Sequence, residues 1–587
     1  MRKILAIAVF LIFKIVFAQP FVLPTENVFQ TNFLRGEFDE WNWLGNFNYY
    51  KEPVVGTGIS FRDNFLSSHF RDSRLWREQN NLEGYLYLKT PNTYHGIYAK
   101  SWYLQDLRNQ EITSRFGNHS MGLKAQYNMG SFFILRPYAG YQKSENQSLI
   151  DWGWDLGIDA RLNKYPLGDY QTDVHIQSDQ DLYPLRQNAF NAFDVRLKTH
   201  FSALASDSLM VHYSKDNQEY FASDGISLID VQIENMGFEN FLYYQVSPHN
   251  QIEFNTLLLS RTVDDNTPDA KNRRDVERFE NTLFFRHTGG RLSMLLSVHT
   301  FQEIQDNLDV VTDSKAMQTS LRADFYYRLN SRDIVRLKLG LIKFQYDTPD
   351  TVTNNDDRDE SRFIGSIEYS RRFSNLFEAN IEFFTNLYHK LYIFREQSAN
   401  NNRNRIYKLQ ASTRYSNQRF RNILLTYVLA NYTIYDFDAQ FTNRRSFVFR
   451  KYVLADSLEI QVLPRTALGF LGRLELDDRG TFYEEDFTQG LLESGRSIFY
   501  DFYLEQKSVF NFTVMAGVSV YQRDSWRYMP AKIQDRKIRK TSPYIRILYP
   551  ISRHIRFNAY LCLTMLRDEG RINTDYPVGN LNLMFLF

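Results

Sequence analysis

A two-residue alternation of apolar and polar side chains runs through most of the chain, and this feature most restricts the fold. The apolar face of residues 193–201, for example, carries Phe193, Val195, Leu197 and Phe201. The same pattern recurs in 152–162, 317–329, 334–342 and 406–416. Because successive side chains of a strand point to opposite faces, this period predicts strands with one apolar and one polar face. No comparably long segment has a helical period, and the sequence therefore predicts an all-β chain.

The lengths of the predicted strands and of their connections favour a membrane-spanning barrel over a soluble sandwich. Many alternating segments exceed the roughly 5–6 residues of an average globular strand and reach the roughly 9–11 that a tilted membrane strand needs. From residue 247 onward, short turns alternate with long polar segments. The short turns lie at 247–250, 288–291, 330–333, 374–375, 417–419 and 552–553. The long segments include 264–274, 348–360, 394–404, 478–494 and 525–540. This sorting is typical of transmembrane barrels, which place short turns in the periplasm and long loops outside.

The hairpin count predicts a transmembrane antiparallel β-barrel of about 26 strands, with a range of roughly 24 to 28, over residues 41–587. Short periplasmic turns and long extracellular loops are expected. Residues 19–40 are expected to form an irregular periplasmic segment. No linker or change of composition divides the chain of 587 residues, so one barrel domain is predicted.

The first residues predict export from the cytoplasm. Arg2 and Lys3 precede an apolar stretch, and the small residue Ala18 follows it, which is the pattern of a signal peptide over residues 1–18. Lys14 stands at the end of the apolar stretch, so an uncleaved anchor is the alternative. Beyond residue 18, no apolar run reaches the roughly 20 residues that a transmembrane helix requires.

The balance of charge and the single cysteine exclude several classes of protein. The 69 basic and 68 acidic residues give a net charge of +1, whereas nucleic-acid binding by counterion release requires a basic excess. Nucleic acid is therefore not expected as a partner. Cys562 is the only cysteine, which excludes an intrachain disulfide framework. It alternates with Leu561 and Leu563, so it is expected on the lumen side or on a packed inner surface.

The end of the chain predicts a strand that closes the barrel. Residues 576–587 read YPVGNLNLMFLF, and such a strand would pair with the first strand and remove the last free edge. The segment resembles the last strand of outer-membrane β-barrel proteins of Gram-negative bacteria, which typically ends in Phe with apolar residues at alternate positions before it. The matching residues are Leu581, Leu583, Phe585 and Phe587. The opposite face departs from the pattern, because Met584 and Leu586 are apolar too. A buried edge strand of a soluble sheet is the alternative.

The resemblance implies a location in the outer membrane, contact with outer-membrane lipid, and insertion by the barrel-assembly machinery, which reads the last strand as a signal. It names a superfamily and no activity. TonB-dependent transporters carry an N-terminal plug domain, for which strands beginning near residue 41 leave no room. Lipopolysaccharide-export barrels carry a soluble N-terminal domain and cysteines that this chain is expected to lack. Neither family is therefore assigned.

Motifs that carry chemistry are not found. The 11 histidines form no H-E-x-x-H motif, and the sequence contains neither a P-loop nor a G-x-S-x-G elbow. No catalytic site, metal or cofactor is therefore predicted, and the chain is not expected to be an enzyme. The basic segment 523–540 is expected to be a solvated outer loop; contact with a phosphorylated surface glycan, or folding into the pore, is the alternative.

The phase of the alternation predicts which polar side chains line the lumen. The set carries both signs of charge: Asp151, Asp155, Asp159, Asp194, Arg196, Lys198, His200, Arg322, Asp324, Arg328, Arg336 and Lys338. Such a wall would hold water without strong selection between cations and anions.

The expected function is a water-filled pore for passive or gated passage of solutes or polymers, blocked if at all by an inward-folded loop or a partner protein. The alternative is an assembly or export barrel inside a multiprotein outer-membrane complex, closed by a plug or periplasmic partner. A hydrolase site dispersed over several strands is the least favoured possibility.

Overall fold

The computed structural model describes residues 27–586, apart from several short connections. The exceptions are 37–39, 71–75, 110–111, 147–148, 222–226, 268–269, 309–312, 350–355, 441–443, 509–511, 529–530 and 570–572. The predicted signal peptide, residues 1–18, and Phe587 lie outside the described residues. Among the described residues, no helix has the length and apolar character needed to cross a bilayer.

The chain is all-β, as the alternation predicts, and forms one closed antiparallel sheet of 28 strands. The first half consists of β1 (Val28–Arg35), β2 (Glu40–Lys51), β3 (Gly56–Phe70), β4 (Trp76–Lys89), β5 (Thr93–Asn109), β6 (Ile112–Met129), β7 (Phe133–Asn146), β8 (Leu149–Leu167), β9 (Tyr170–Leu182), β10 (Gln187–Ser202), β11 (Ala205–Phe221), β12 (Leu228–Ser247), β13 (Asn250–Thr267) and β14 (Ala270–Thr288). The second half consists of β15 (Leu292–Leu308), β16 (Ser314–Arg328), β17 (Asp333–Asp347), β18 (Arg358–Arg372), β19 (Phe377–Tyr392), β20 (Asn402–Ser416), β21 (Phe420–Tyr435), β22 (Phe447–Leu463), β23 (Thr466–Tyr483), β24 (Thr488–Lys507), β25 (Thr513–Tyr528), β26 (Lys532–Pro550), β27 (Ile555–Asp568) and β28 (Thr574–Leu586). Each strand pairs with the next one in the chain.

The ring is closed by β28, which pairs with β27 on one side and with β1 on the other. The prediction that the last segment is the closing strand is confirmed. Phe585 lies opposite Phe29, with ring centroids 6.0 Å apart, and Leu581 lies opposite Phe33. Because both neighbours are present, the backbone of β28 has hydrogen-bonding partners along both edges, and no free edge is left.

The strand count of about 26 is corrected to 28, the upper end of the expected range. Part of the difference is β1, which lies inside residues 19–40, the segment expected to be irregular. The alternation of β1 is weak, because one face mixes Gln30 and Asn32 with Val28 and Leu34. The backbone pairing of β1 with β2 and β28 makes it a strand, and that pairing joins residues from the two ends of the chain.

The six short turns that the sequence predicts all lie at one end of the barrel, here called the turn end. Asparagine side chains shape two of these turns. Asn330 Oδ1 accepts from the backbone N–H groups of Arg332 and Asp333 at 2.8 and 2.9 Å. Asn417 Oδ1 accepts in the same way from Arg419 and Phe420. These side chains supply the turn hydrogen bonds that asparagine favours.

The opposite end, here called the loop end, differs from the prediction of long loops. Most of the polar segments continue the strands: β13 reaches Thr267 and β14 starts at Ala270, within the expected loop 264–274. The longer connections that remain are 348–357, 393–401 and 436–446, and the last two contain 3-10 turns at Arg395–Asn400 and Asp438–Gln440. A sheet ladder is made by backbone groups, so it continues past the apolar band into polar sequence where both faces are hydrated.

The two faces of the sheet have different chemistry. On β8, Trp152 and Trp154 are 50 % and 56 % exposed on one face, and Asp155 and Asp159 lie on the other. The face with the aspartates is the concave one, because Tyr98 on β5 reaches across two strands to Asp155. The barrel therefore has an apolar outer face and a polar inner wall, which is the arrangement of a barrel surrounded by lipid and filled with water.

Candidate functional site

The inner wall of β8 to β11 carries a row of directly opposed ionisable side chains. Arg161, His175, Asp194 and His212 face one another in register on these consecutive strands. His175 Nδ1 lies 3.4 Å from Asp194 Oδ2, and the ring of His212 contacts the other oxygen of the same carboxylate. Cross-strand neighbours on one face are the closest side-chain pairs that a sheet offers, so the register itself builds this row.

Asp159, two residues before Arg161 on the same face of β8, connects this row to Arg136 on β7. Its carboxylate accepts from Nε and Nη2 of Arg161 at 3.1 Å each and contacts His175 Nε2 at 3.1 Å. Arg136 Nη1 on β7 lies 3.6 Å from Asp159 Oδ1. The side chain of Asp159 is only 13 % exposed, and the surrounding cations compensate its burial. Two of the residues predicted to line the lumen, Asp159 and Asp194, are thus joined through His175.

Tyrosines that lie across glycines form the second feature of the inner wall. Tyr138 on β7 crosses Gly157 on β8 and donates to Asp179 Oδ1 on β9 at 2.7 Å. A Cβ atom on Gly157 would lie 2.4 Å from the Tyr138 ring, so only glycine leaves room for this crossing. Tyr98 crosses Gly140 in the same way and donates to Asp155 Oδ2 at 2.9 Å.

The same arrangement recurs on the other side of the barrel seam. Tyr544 on β26 covers Gly517 on β25 and donates to both oxygens of Asp501 on β24, at 3.0 and 3.2 Å. These crossings connect strands that are not direct neighbours and bind carboxylates to the wall by hydrogen bonds. In the part of the chain that the structure describes, no group of three or more His, Cys, Asp or Glu residues has the arrangement of a metal site.

A second group of charges lies on β16 to β18. Arg336 Nη1 is 3.4 Å from Glu368 Oε2, and its guanidinium lies 5.5 Å from the centre of the Tyr326 ring. Asp324 stands directly opposite Lys338. Three predicted lumen residues, Asp324, Arg336 and Lys338, therefore share one patch, separated from the β8–β11 row by the strands between them.

The other predicted lumen residues are dispersed. Asp151 Oδ2 accepts from Arg186 Nε at 2.7 Å near the loop end. Arg196 contacts Met210 Sδ at 3.3 Å. The remaining members of the set are largely exposed: Lys198 and His200 on β10, and Arg322 and Arg328 on β16, the strand that also carries Asp324.

Four members of these groups are not among the predicted lumen residues: His175, His212, Arg136 and Glu368. The alternation signal was present for each of them, since each follows and precedes apolar residues on its strand. Their partners lie on other strands, however, and register between strands is not visible in one sequence. Cys562, expected on the lumen side or on a packed inner surface, is buried with its thiol 3.8 Å from Thr564 Oγ1.

The basic segment 523–540 is not the outer loop that was expected. It forms the end of β25 and the start of β26, joined by the connection after Tyr528. Two of its arginines face carboxylates: Arg527 Nε lies 3.2 Å from Asp535 Oδ1, and Arg536 makes three hydrogen bonds of 2.6–3.1 Å to Asp568. A small inner cavity of about 240 Å³ near the loop end is bounded by both arginines. The face of the segment that carries these two arginines is therefore part of the mixed-charge wall.

These features define the class of protein: a closed β-barrel of the outer-membrane type, with an apolar belt outside and paired charges inside.

No family profile and no curated protein matches the chain. Among solved structures, it is similar to the alcaligin outer-membrane receptor FauA of Bordetella pertussis at 10 % identity and a TM-score of 0.37, over 83 % of this chain and 85 % of that one. It is also similar to the FrpB iron transporter of Neisseria meningitidis, at 7 % sequence identity and a TM-score of 0.40, over 74 % of this chain and 80 % of that one. The copper transporter OprC is similar at 8 % sequence identity and a TM-score of 0.40, over 97 % of this chain and 81 % of that one.

Proposed function

We propose that the chain is an outer-membrane β-barrel whose lumen is a water-filled passage for hydrophilic solutes or polymers. The observation that carries this proposal is the closed inner wall of mutually paired charges, seen on β8–β11 and again on β16–β18. A wall with both signs of charge holds water and discriminates little between cations and anions. We assign no enzymatic activity and no cofactor to the chain.

The strand number supports a wide lumen. Barrel diameter grows with strand number, and barrels of about 16–18 strands already leave an aqueous channel. With 28 strands, this barrel has room for large solutes, and passage through it is either passive or gated by an inward-folded connection or a partner protein. In this arrangement the turn end faces the periplasm and the loop end faces outward, as in other outer-membrane barrels.

The outer face and the last strand support the location. Exposed apolar residues such as Trp154 and Leu339 form the face that would contact lipid. Leu581, Leu583, Phe585 and Phe587 remain the proposed signal for the barrel-assembly machinery.

Single-channel recording of the refolded protein in a planar bilayer tests this proposal. We expect steady conductance with weak ion selectivity. Reversing two inner-wall cations in Arg336→Glu/Lys338→Glu should shift the reversal potential toward cation selectivity. Arg273→Glu is the matched control, because Arg273 lies on the outer face of β14 and is 51 % exposed there.

Silence from a barrel that is folded and inserted would contradict an open passage. If a stoichiometric partner then co-purifies from native membranes, the protein works as a barrel closed within a complex. Folding is checked separately by heat-modifiable migration, so that a silent channel is not confused with an unfolded one.

A further inference from the structure

A row of uncharged amides lies on the inner wall beside the seam between β28 and β1. The row, here called the amide array, takes one residue from each of four consecutive strands: Gln30, Asn46, Asn64 and Asn81. Asn81 lies on the same face of β4 as Tyr85, whose cross-strand neighbour is Tyr98. Because Tyr98 reaches Asp155 across the concave side of the sheet, the amide array faces the lumen.

The members of the amide array are near enough to pair with one another, yet they do not. Directly opposed residues on one face of an antiparallel pair have Cβ atoms about 4.5–5.5 Å apart. Among the described residues, none of the four side-chain amides has a hydrogen-bond partner. On β8–β11, by contrast, His175 contacts the carboxylates of both Asp159 and Asp194. The amide array therefore keeps hydrogen-bonding capacity that the wall itself does not use.

The orientation of several amides directs their donors to the lumen. The side-chain oxygens of Asn32, Asn46 and Asn48 are shielded from solvent and accept no hydrogen bond within the part of the chain that the structure describes. The same is true of Asn558 on β27 and Asn580 on β28. Their N–H₂ groups are not shielded in this way, so each amide presents its two donors to the lumen.

Opposite charges stand side by side next to the amide array. Toward the turn end, Glu83 on β4 is in register with Arg62 on β3 and with Lys100 on β5. Toward the loop end, Arg77 on β4 is directly opposite Asp106 on β5. Such a mixed neighbourhood gives little advantage to an anion or to a cation. The chemistry of this part of the wall therefore suits an uncharged ligand.

An aromatic residue extends the row. Trp102 on β5 is in register with Asn81 on one side and with Asn118 on β6 on the other. The C–H faces of a sugar ring pack against an indole, and the hydroxyl groups at the edge of the sugar then point to the sides. At Trp102 those hydroxyl groups would meet an amide on either side.

The spacing of the row also favours a sugar chain. Neighbouring strands place successive members about 4.7–4.9 Å apart, close to the length of one sugar unit in a glycan. An extended peptide presents groups to the same side only about every 6.6 Å, because successive residues alternate. A peptide would therefore lose register with the row after a few contacts.

We infer that the inner wall from β1 to β6 binds uncharged, hydroxyl-rich polymers, that is neutral glycan chains, inside the lumen. This inference rests on the proposed passage and names the class of polymer that enters it. Hydroxyl groups accept from the amide N–H₂ groups and need no charge to do so. The hydrogen-bonding groups that line a pore contribute to its selectivity, and here they are neutral donors in register.

Titration calorimetry of the folded barrel, in a detergent without a sugar headgroup, tests this inference. The probes are oligosaccharides of glucose, mannose and galactose with equal length. Polyethylene glycol of the same mass has acceptors but no donors along its chain, and a Gly-Ser peptide has both at the peptide spacing. At least one of the three glycans should bind, and both comparison polymers should bind at least about tenfold more weakly, since each neutral hydrogen bond contributes roughly a fivefold factor.

Variants of the row assign the binding to these residues. Asn46→Leu/Asn64→Leu should weaken glycan binding at least about tenfold, because two neutral hydrogen bonds are lost. Trp102→Leu should weaken it as well, whereas Trp102→Phe, which keeps an aromatic face, should retain most of it. Asn255→Leu/Gln318→Leu is the matched control, since it removes two inner-wall amides on β13 and β16 and should leave binding unchanged. Heat-modifiable migration checks that every variant is folded.

Three results would overturn the inference: no binding of any of the three glycans, equal binding of the peptide, or equal binding by the wild type and Asn46→Leu/Asn64→Leu. An equal loss in Asn255→Leu/Gln318→Leu would overturn it too, because any inner-wall amide would then suffice. Calorimetry does not require an open channel. A conducting barrel that binds no glycan therefore contradicts this inference only, and a silent barrel that binds glycan contradicts the open passage only.

Discussion

His175 and Asp159 meet on the inner wall with the imidazole Nε2 3.1 Å from the carboxylate Oδ2, and the other ring nitrogen of His175 faces Asp194 at 3.4 Å. One imidazole therefore bridges two carboxylates on the strands that flank its own. His175→Ala should lower the free energy of unfolding by about 1–3 kcal/mol, because it leaves half-buried carboxylates without a shared partner. Denaturant unfolding followed by heat-modifiable migration measures this loss.

His200→Ala is the matched control for this prediction, since His200 is exposed near the turn end of β10. It should change the free energy of unfolding by no more than about 0.5 kcal/mol. Equal stability of the two variants would show that the bridge contributes nothing.

Gly157 gives a second prediction, about the crossing of Tyr138. In Gly157→Ala the new methyl group would stand 2.4 Å from the tyrosine ring, which must move away from Asp179. Such overpacking should cost about 1–3 kcal/mol of stability. Gly290→Ala is the control, because nothing lies within 4 Å of the corresponding Cβ position. A Gly157→Ala barrel as stable as Gly290→Ala would mean that Tyr138 does not need the crossing.

The assignment of the outer face is tested by two neighbours on β17. Leu339 is 37 % exposed on the outer face, and Lys338 lies on the inner wall. Leu339→Arg should destabilise the barrel in bilayers by about 2–4 kcal/mol if the residue lies near the bilayer midplane. Lys338→Leu, one residue away on the other face, should have a small effect. The reverse order in reversible unfolding from vesicles would mean that the two faces are exchanged.

Much of the fold was predictable because alternation is a local property. The apolar face of β10 and the polar turn at Asn330 each depend only on residues that are neighbours in the sequence. Both predictions are confirmed. Strand β1 was missed because its face around Gln30 and Asn32 alternates poorly, and its pairing with β28 joins residues at opposite ends of the chain. The ladder at Thr267 and Ala270 was missed because polar sequence resembles a loop even where backbone pairing continues.

For the candidate site, the sequence predicts which face of each strand carries the polar side chains, but not which side chains meet there. The alternation places Asp155 and Asp159 on the polar side of β8, but which residue meets each carboxylate depends on register across other strands. Tyr98 lies 57 residues from Asp155 in the chain and contacts it over two intervening strands.

Asp438, in the loop-end connection 436–446, gives the last prediction, which concerns pH. Burial of Asp438 favours the protonated form, but the backbone N–H groups of Arg445 and Ser446 donate to the carboxylate at 2.7 and 2.9 Å and hold its pKa below the usual range. A depressed pKa in the folded state means that the carboxylate stabilises the connection above the ordinary pKa of aspartate, about 3.9. This stabilisation is lost as the pH falls through the lower folded-state value.

Hydrogen exchange of the Arg445 and Ser446 amides measures this effect directly. At neutral pH, Asp438→Asn should reduce their protection about fivefold, because a neutral amide oxygen is a weaker acceptor than a carboxylate. Acidification should bring the wild type toward the protection of Asp438→Asn and leave the variant nearly unchanged relative to intrinsic exchange. Asp486→Asn, at an exposed position of the neighbouring connection, is the control and should follow the wild type at every pH. If Asp438→Asn kept full protection at neutral pH, the carboxylate would not be the group that orders this connection.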